Sequence, residues 1–98
     1  MEESERKYES VMVVSTKLGE EKVKSVVEKF TSLISKEAVL NGIDEWGKRK
    51  LAYPINYEEE GYYVLFNFES SPGFTAELAR QYGITEGVIR NLIVVKKD

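Results

Sequence analysis

The sequence predicts an α+β domain in which two helices cover one face of a four-stranded antiparallel sheet. Four segments are rich in β-branched or aromatic residues, and two others carry apolar residues at helical spacing. In chain order these segments follow as β-α-β-β-α-β. The chain has 98 residues, the usual size of one domain. We therefore expect a single domain over residues 6–98, preceded by a flexible acidic leader at residues 1–5.

The first strand and the first helix have the clearest local patterns. Residues 8–14 form the β-branched run YESVMVV, which ends at the turn-like segment STKLG. After Gly19, apolar residues follow at intervals of one and three, with Glu and Lys between them. This stripe is typical of an amphipathic helix. The first helix is expected over residues 20–36.

The second strand is expected over residues 38–55, with an irregularity at Gly47, because a glycine inside a strand often marks a bulge. Pro54 cannot donate a ladder hydrogen bond, so this strand is expected at an edge of the sheet. Beyond Gly47, alternation divides the side chains between two faces. One face receives Arg49, Leu51, Tyr53 and Ile55, and the other receives Lys48, Lys50 and Ala52.

The third strand is expected over residues 62–68, after a polar turn at residues 56–61. Its alternation points three residues toward the core: Val64, Phe66 and Phe68.

The last helix and strand complete the order. Ser71 is expected to cap a helix that has Pro72 at its first position and stops at Gly83. Residues 87–97 then supply a β-branched fourth strand. This is the split β-α-β arrangement of ferredoxin-like folds, in which strands one and three are central and strands two and four are edges.

The composition argues against catalysis. The chain has no cysteine and no histidine, which removes thiolate and imidazole ligands and the commonest general base. Without cysteine there is no disulfide framework, so a reducing cytoplasm fits. No apolar run approaches the about 18 residues of a membrane helix. We expect no enzymatic activity, no cofactor, no metal, no small-molecule substrate and no membrane contact.

Several functions are compatible with this order of elements. An RNA-recognition module would stack bases on strand three, but EGYYVLFNF has Glu60 where a basic residue belongs and aromatic residues on the core face. An acylphosphatase would need an anion loop with an arginine, whereas STKLGEE ends in two carboxylates. A small-ligand regulatory domain, a protein-interaction domain and a purely structural domain remain open as alternatives.

The charge distribution favours assisted binding to nucleic acid. The net charge is -3, although isolated nucleic-acid binders are usually basic. Cations nevertheless gather at Arg6 and Lys7, at residues 48–50, and at Lys96 and Lys97. Such clusters permit only a few phosphate contacts. An RNA-binding role would therefore require a basic partner.

Four stretches identify a resemblance: RKYE at 6–9, EWGKRKLAYPI at 45–55, GYYVLFNFE at 61–69 and VIRNLIVVK at 88–96. In order and spacing they resemble the family of the sixth protein of the bacterial small ribosomal subunit, over residues 6–97. The resemblance implies a structural ribosomal protein with the fold predicted above. It also implies binding to the central domain of the small-subunit ribosomal RNA, as a heterodimer with the basic eighteenth small-subunit protein.

Candidate site residues follow from the residue types and the resemblance together. The cations Lys48, Arg49 and Lys50 lie on an edge strand, where they can reach phosphates. The side chains that offer apolar area to the partner protein are Trp46, Leu51 and Tyr53, with burial in the core of this chain as the alternative for Leu51. A second RNA-binding group is expected where strands one and four meet, and it consists of Arg6, Tyr8 and Arg90.

Overall fold

The computed structural model describes the backbone of residues 6–55 and 58–96, and the side chains of these residues except 52–59. The predicted leader at residues 1–5 lies outside the described residues, as does Lys97. The strands are β1 (Arg6–Ser15), β2 (Val39–Ile55), β3 (Glu58–Ser70) and β4 (Val88–Val95). The helices are α1 (Glu20–Glu37) and α2 (Pro72–Ile84), and a short 3-10 turn (Thr16–Leu18) precedes α1.

The four strands form one antiparallel sheet in the order β2-β3-β1-β4. The predicted ferredoxin-like fold is therefore confirmed, with strands one and three in the centre. Ser10 lies opposite Phe66 in the β1–β3 pair and opposite Ile93 in the β1–β4 pair. Because side chains alternate along a strand, this register assigns every residue of the sheet to one of two faces.

The core lies between the two helices and the face of the sheet that carries Ser10 and Phe66. From α1 it receives Val23, Val27, Phe30 and Ile34, and from α2 it receives Phe74, Leu78 and Tyr82. The sheet contributes Tyr8, Met12, Val14, Val64, Phe66 and Phe68. The predicted inward parity of strand three is confirmed.

Aromatic contacts and one hydrogen bond organise this core. The rings of Phe30 and Tyr82 pack at a centroid distance of 4.5 Å, and Phe68 contacts Phe74 edge to face at 5.8 Å. The hydroxyls of Ser10 and Tyr82 form a buried hydrogen bond of 2.7 Å. Since an unpaired buried hydroxyl is costly, this pair lets a polar strand residue lie beneath α2.

Two local expectations differ from the structure. The turn predicted at residues 56–61 is shorter, because β3 already begins at Glu58 and pairs with β2 through Glu60 and Gly61. Ser71 has the extended backbone of an N-cap and precedes Pro72, but its side chain makes no capping hydrogen bond.

Gly61 creates a second apolar contact on the face away from the helices. A Cβ added at Gly61 would overlap Cγ1 of Val13 and would lie 3.6 Å from Cδ2 of Leu51. Val13 is 1% exposed and Leu51 is 7% exposed. The missing side chain of Gly61 thus lets Leu51 from β2 pack beside Val13 from β1.

We expect Tyr82 to make the fold sensitive to alkali. Burial raises the pKa of Tyr82 to about 12, and the hydrogen bond with Ser10 offsets part of that rise. A raised pKa in the folded state gives stability that is complete below the unfolded value of about 10 and is lost as pH rises toward 12. Urea titrations should show about 2 to 3 kcal/mol lost between pH 10 and 12 beyond the loss in Tyr82→Phe. Parallel pH profiles of the two proteins would contradict this assignment.

Candidate RNA and partner interface

The sheet face opposite the helices, called the open face below, carries Trp46, Arg49, Leu51 and Arg90 from among the candidate residues. Cross-strand pairing arranges it in rows. One row joins Gly47, Tyr63, Val13 and Arg90, and the next joins Asp44, Leu65, Val11 and Leu92. Farther along the strands, a third row joins Gly42, Asn67, Glu9 and Val94. The face is therefore apolar in its middle and charged or polar toward both ends.

An apolar patch occupies the middle of the open face. We define it by six residues: Val11, Trp46, Tyr63, Leu65, Leu92 and Val94. Trp46 is 41% exposed, Leu92 59% and Val94 42%, while the other three are half-buried. Carboxylates border this patch at Asp44 and Glu9. A contiguous apolar surface with a polar rim is typical of a protein-binding site.

Trp46 reaches this patch because of a bulge in β2. The register shifts between Glu45 and Gly47, so Trp46 has no cross-strand partner, and Gly47 has a φ of 79°. The indole stacks on Tyr63 with a centroid distance of 6.1 Å, and its Nε1 donates to Oδ2 of Asp44 at 3.0 Å. The predicted irregularity at Gly47 is confirmed, and its effect is to hold an exposed indole against the open face.

The three cations after the bulge point to two sides of the hairpin. Arg49 lies opposite Gly61 and shares the open face, whereas Lys48 lies opposite Tyr62 and Lys50 opposite Glu60, on the helix side. All three are exposed. This is the division that alternation predicted. The cluster can therefore present positive charge in two directions.

Lys48 also lines a groove between α1 and the β2–β3 hairpin. The groove has a volume of about 670 Å³ and an apolar floor that includes Val23 and Val27. On its wall the Tyr62 hydroxyl donates to Oε1 of Glu45 at 2.7 Å. That hydrogen bond, together with partial burial and the negative charge of Glu45, raises the pKa of Tyr62. Tyr62 therefore stays neutral at physiological pH.

The second RNA group does not assemble as predicted. Arg90 lies opposite Val13, whereas Tyr8 lies opposite Val95. The antiparallel pairing thus separates Arg90 from Tyr8 by five positions along β1, roughly 17 Å at the rise of a strand. Arg90 instead lies on the open face, in the row that also contains Val13, Tyr63 and Gly47. Arg6 lies at the other end of the sheet, near Lys7 and Lys96, where the Lys96 amide donates to the Lys7 carbonyl oxygen at 2.8 Å.

Two candidate residues are buried within the chain itself. Tyr8 is 5% exposed, and its ring stacks on Phe68 with a centroid distance of 5.6 Å. The ring therefore belongs to the core and cannot stack on an RNA base. Leu51 packs beside Val13, which removes it from a partner surface. The Tyr53 side chain lies outside the described residues.

Leu92 and Val94 were absent from the sequence-based candidates. Their alternation with Asn91 and Ile93 was visible, but residues 88–95 form a nearly continuous apolar run that does not show which face meets the helices. The pairing of β4 with β1 supplies that information, because Leu92 lies opposite Val11 and Val94 opposite Glu9.

No helix among the described residues has the length and apolar character needed to cross a bilayer.

Comparisons with known proteins agree with one another. Residues 7–95 match the sequence model of the family described as Ribosomal protein S6. The small ribosomal subunit protein bS6 of Caldanaerobacter subterraneus subsp. tengcongensis is 51% identical over 94 residues, which cover 95% of this chain and 99% of that protein. The bS6 protein of Clostridium novyi is 48% identical over 90 residues, covering 91% and 95%.

A solved structure shows the same architecture. The crystal structure of 30S ribosomal protein S6 from Thermotoga maritima matches with a TM-score of 0.89 and 27% sequence identity. The match covers 95% of this chain and 89% of that chain. The ferredoxin-like fold is therefore shared with an experimentally determined protein.

We expect Gly47→Ala to destabilise the fold because alanine disfavours the positive φ at this bulge. An added Cβ at Gly47 meets no atom within 4 Å, so the cost comes from the backbone and should be about 1 to 2 kcal/mol. Gly42→Ala is a matched control, since Gly42 also follows a register shift in β2 but has no positive φ. Urea unfolding followed by the Trp46 fluorescence measures both variants. Equal stability losses in the two would contradict the role of the Gly47 conformation.

Proposed function

The chain belongs to the ribosomal protein S6 family, and on this premise we propose that it binds the central domain of the small-subunit ribosomal RNA as a heterodimer with the eighteenth small-subunit protein. The family consists of structural proteins of the cytoplasmic ribosome, so the chain is a small-subunit ribosomal protein and not an enzyme. The observation that carries the proposal is the apolar patch with its acidic rim, placed between two groups of cations.

The partner protein docks on the apolar patch. Burying a large apolar side chain contributes about 1.5 to 3 kcal/mol relative to leaving it exposed, and the half-exposed Trp46, Leu92 and Val94 together offer about one and a half times that before binding costs. Asp44 and Glu9 at the edge of the patch repel acidic proteins and attract basic ones. A basic partner of the kind that the family resemblance implies therefore suits both the apolar area and the charge of this face.

RNA contacts come from cations on the open face, on the hairpin and at the opposite end of the sheet. Arg49 and Arg90 face the same side as the patch, so they can contact a backbone that runs past a docked partner. Lys48 and Lys50 extend the positive surface around the edge strand, and Arg6 contributes at the opposite end of the sheet, on the helix side. Arginine is well suited to phosphate because its planar fork can donate two hydrogen bonds at once.

The acidic net charge makes RNA binding depend on the partner. The chain carries 14 Lys and Arg against 17 Asp and Glu. Alone, the chain neutralises few phosphates and its net negative charge repels RNA. A basic partner on the open face cancels part of that repulsion and adds its own phosphate contacts. The heterodimer is thus the unit that binds RNA.

We expect the isolated chain to bind the central-domain RNA weakly or undetectably in filter-binding assays at physiological salt, and the heterodimer to bind it clearly. Replacing Lys48, Arg49 and Lys50 with Ala should make the salt dependence of the heterodimer shallower, by about 0.7 to 0.9 in log–log slope for each phosphate that is no longer neutralised. A matched control replaces Lys22, Lys24 and Lys36 on α1, which removes the same charge from exposed helix positions.

Two results would contradict this proposal. Tight and specific binding by the isolated chain would remove the need for a partner. Equal changes of slope in the two triple variants would show that the hairpin cations act only through net charge.

We expect Leu92→Glu to weaken the heterodimer by about 2 kcal/mol or more, since a carboxylate would then be buried in the apolar patch. Leu92 is 59% exposed, so the free domain should keep its stability. Ile84→Glu is the matched control, because Ile84 is an exposed apolar residue at the end of α2, away from the open face. Calorimetric titration with the partner protein measures both. Unchanged affinity for Leu92→Glu would place the partner elsewhere.

A further inference from the structure

The edge strand β4 has a backbone that is open to another chain. In the described part of the sheet it pairs with β1 alone. Residues 88–95 read VIRNLIVV, with no proline or glycine and one charge, at Arg90. The other edge, β2, has register shifts at Gly42 and Gly47, three cations and Pro54. Of the two edges, β4 therefore lacks the features that keep an edge strand from adding a neighbour.

Three residues of β4 direct their backbone groups to the free side. The Lys96 amide donates to the Lys7 carbonyl oxygen at 2.8 Å, so the backbone of Lys96 faces β1. In an antiparallel pair, residues that bond the neighbouring strand alternate with residues that do not. The N–H and C=O groups of Asn91, Ile93 and Val95 therefore point away from β1. An added strand would find donors and acceptors there at the spacing of a sheet.

Apolar surface lies on both sides of this edge. On the open face, Leu92 is 59% exposed and Val94 is 42% exposed. On the helix side, Val95 is 49% exposed, and a groove of about 570 Å³ lies between β4 and α2. The α2 wall of this groove includes the small side chains of Ala76 and Ala79. An added strand would therefore bury apolar side chains on both of its faces.

A second copy of this chain fits the edge poorly. Two β4 strands use all three outward positions on both chains in one antiparallel register, in which Ile93 lies opposite its own equivalent. Lys96 of each chain then lies opposite Arg90 of the other, and both side chains are exposed on the open face. Like charges directly opposite destabilise a strand pair. Because this repulsion occurs twice, the edge favours a different chain.

The chemistry of the edge favours a protein over RNA. Phosphates only accept hydrogen bonds and bring no apolar side chains. An extended peptide supplies donors, acceptors and apolar side chains at the spacing of a strand. Leu92 and Val94 belong both to β4 and to the apolar patch, so a protein that covers the patch also reaches this edge.

We propose that an extended apolar segment of the basic partner protein adds to β4 as a fifth strand. Its side chains lie alternately in the groove beside α2 and next to Leu92 and Val94. The segment carries no cation opposite Arg90 or Lys96, for the reason that disfavours a second copy. This inference rests on the heterodimer proposed above and adds a row of main-chain hydrogen bonds to docking on the patch.

Amide hydrogen exchange tests the added strand residue by residue. The isotope-labelled chain is compared by NMR alone and in the heterodimer with the unlabelled partner. The amides of Asn91, Ile93 and Val95 should exchange rapidly in the free chain and about tenfold or more slowly in the heterodimer, because they gain acceptors. The amides of Leu92 and Val94 already face β1 and should be protected in both samples, so they are the internal control.

A proline on the edge separates hydrogen bonding from simple contact. Asn91→Pro removes an N–H that faces away from β1, so the β1–β4 pairing stays intact. Its ring also blocks an added strand, so it should weaken partner binding about tenfold in calorimetry. Asn91→Ala keeps the N–H and should bind like the parent. Equal affinities for the two variants would overturn the inference. If Asn91→Pro does not fold, the exchange measurement on the parent chain decides alone.

The remaining outcomes assign the edge elsewhere. Protection that grows with the concentration of the free chain would assign β4 to a second copy, and protection that needs RNA would assign it to RNA; either would overturn the inference. If the heterodimer forms without new protection on β4, the added strand is wrong and the proposed function stands. If no heterodimer forms, the proposed function is wrong and the added strand is wrong with it.

Discussion

The pairing of β1 with β3, in which Ser10 lies opposite Phe66, is the constraint on which the other features depend. It places Tyr8, Met12, Val64 and Phe68 under the two helices and sends the alternate residues to the open face. A shift of one residue would exchange the two sets and bury charged side chains. The hydroxyl of Ser10 can be buried in the core because it is hydrogen-bonded to the hydroxyl of Tyr82. In this register the buried polar groups of that pair are therefore hydrogen-bonded while the apolar side chains are packed.

The open face is a surface that the chain does not cover by itself. The two helices are too few to cover both sides of a four-stranded sheet, and the residues opposite them form an apolar patch instead of a solvated surface. Val13 and Leu51 cover only its end near Gly61. Exposed apolar area of this kind is useful in a protein that works within an assembly, since the same surface gains free energy when a partner covers it.

Charge and shape act together at the β2–β3 hairpin. The bulge at Gly47 turns Trp46 onto the open face, and the strand that follows carries three cations whose alternation divides them between two directions. In the proposed heterodimer, the same few residues serve a protein partner and an RNA backbone. An acidic chain can use such a local basic segment because phosphate contacts depend on nearby charge, whereas the net charge chiefly sets long-range attraction.

By itself, the sequence determined the order of elements, the bulge at Gly47, the parity of β3 and the division of residues 48–50 between two sides. All of these follow from alternation, helical spacing and the special backbone of glycine, which are local properties. Only the tertiary structure decided that Tyr8 and Leu51 are buried. It also decided that Arg90 lies opposite Val13, far from Tyr8, and that Asn67 lines a pocket together with Lys7 and Lys96. These facts depend on the register between strands that are distant in sequence, and no short-range pattern encodes that register.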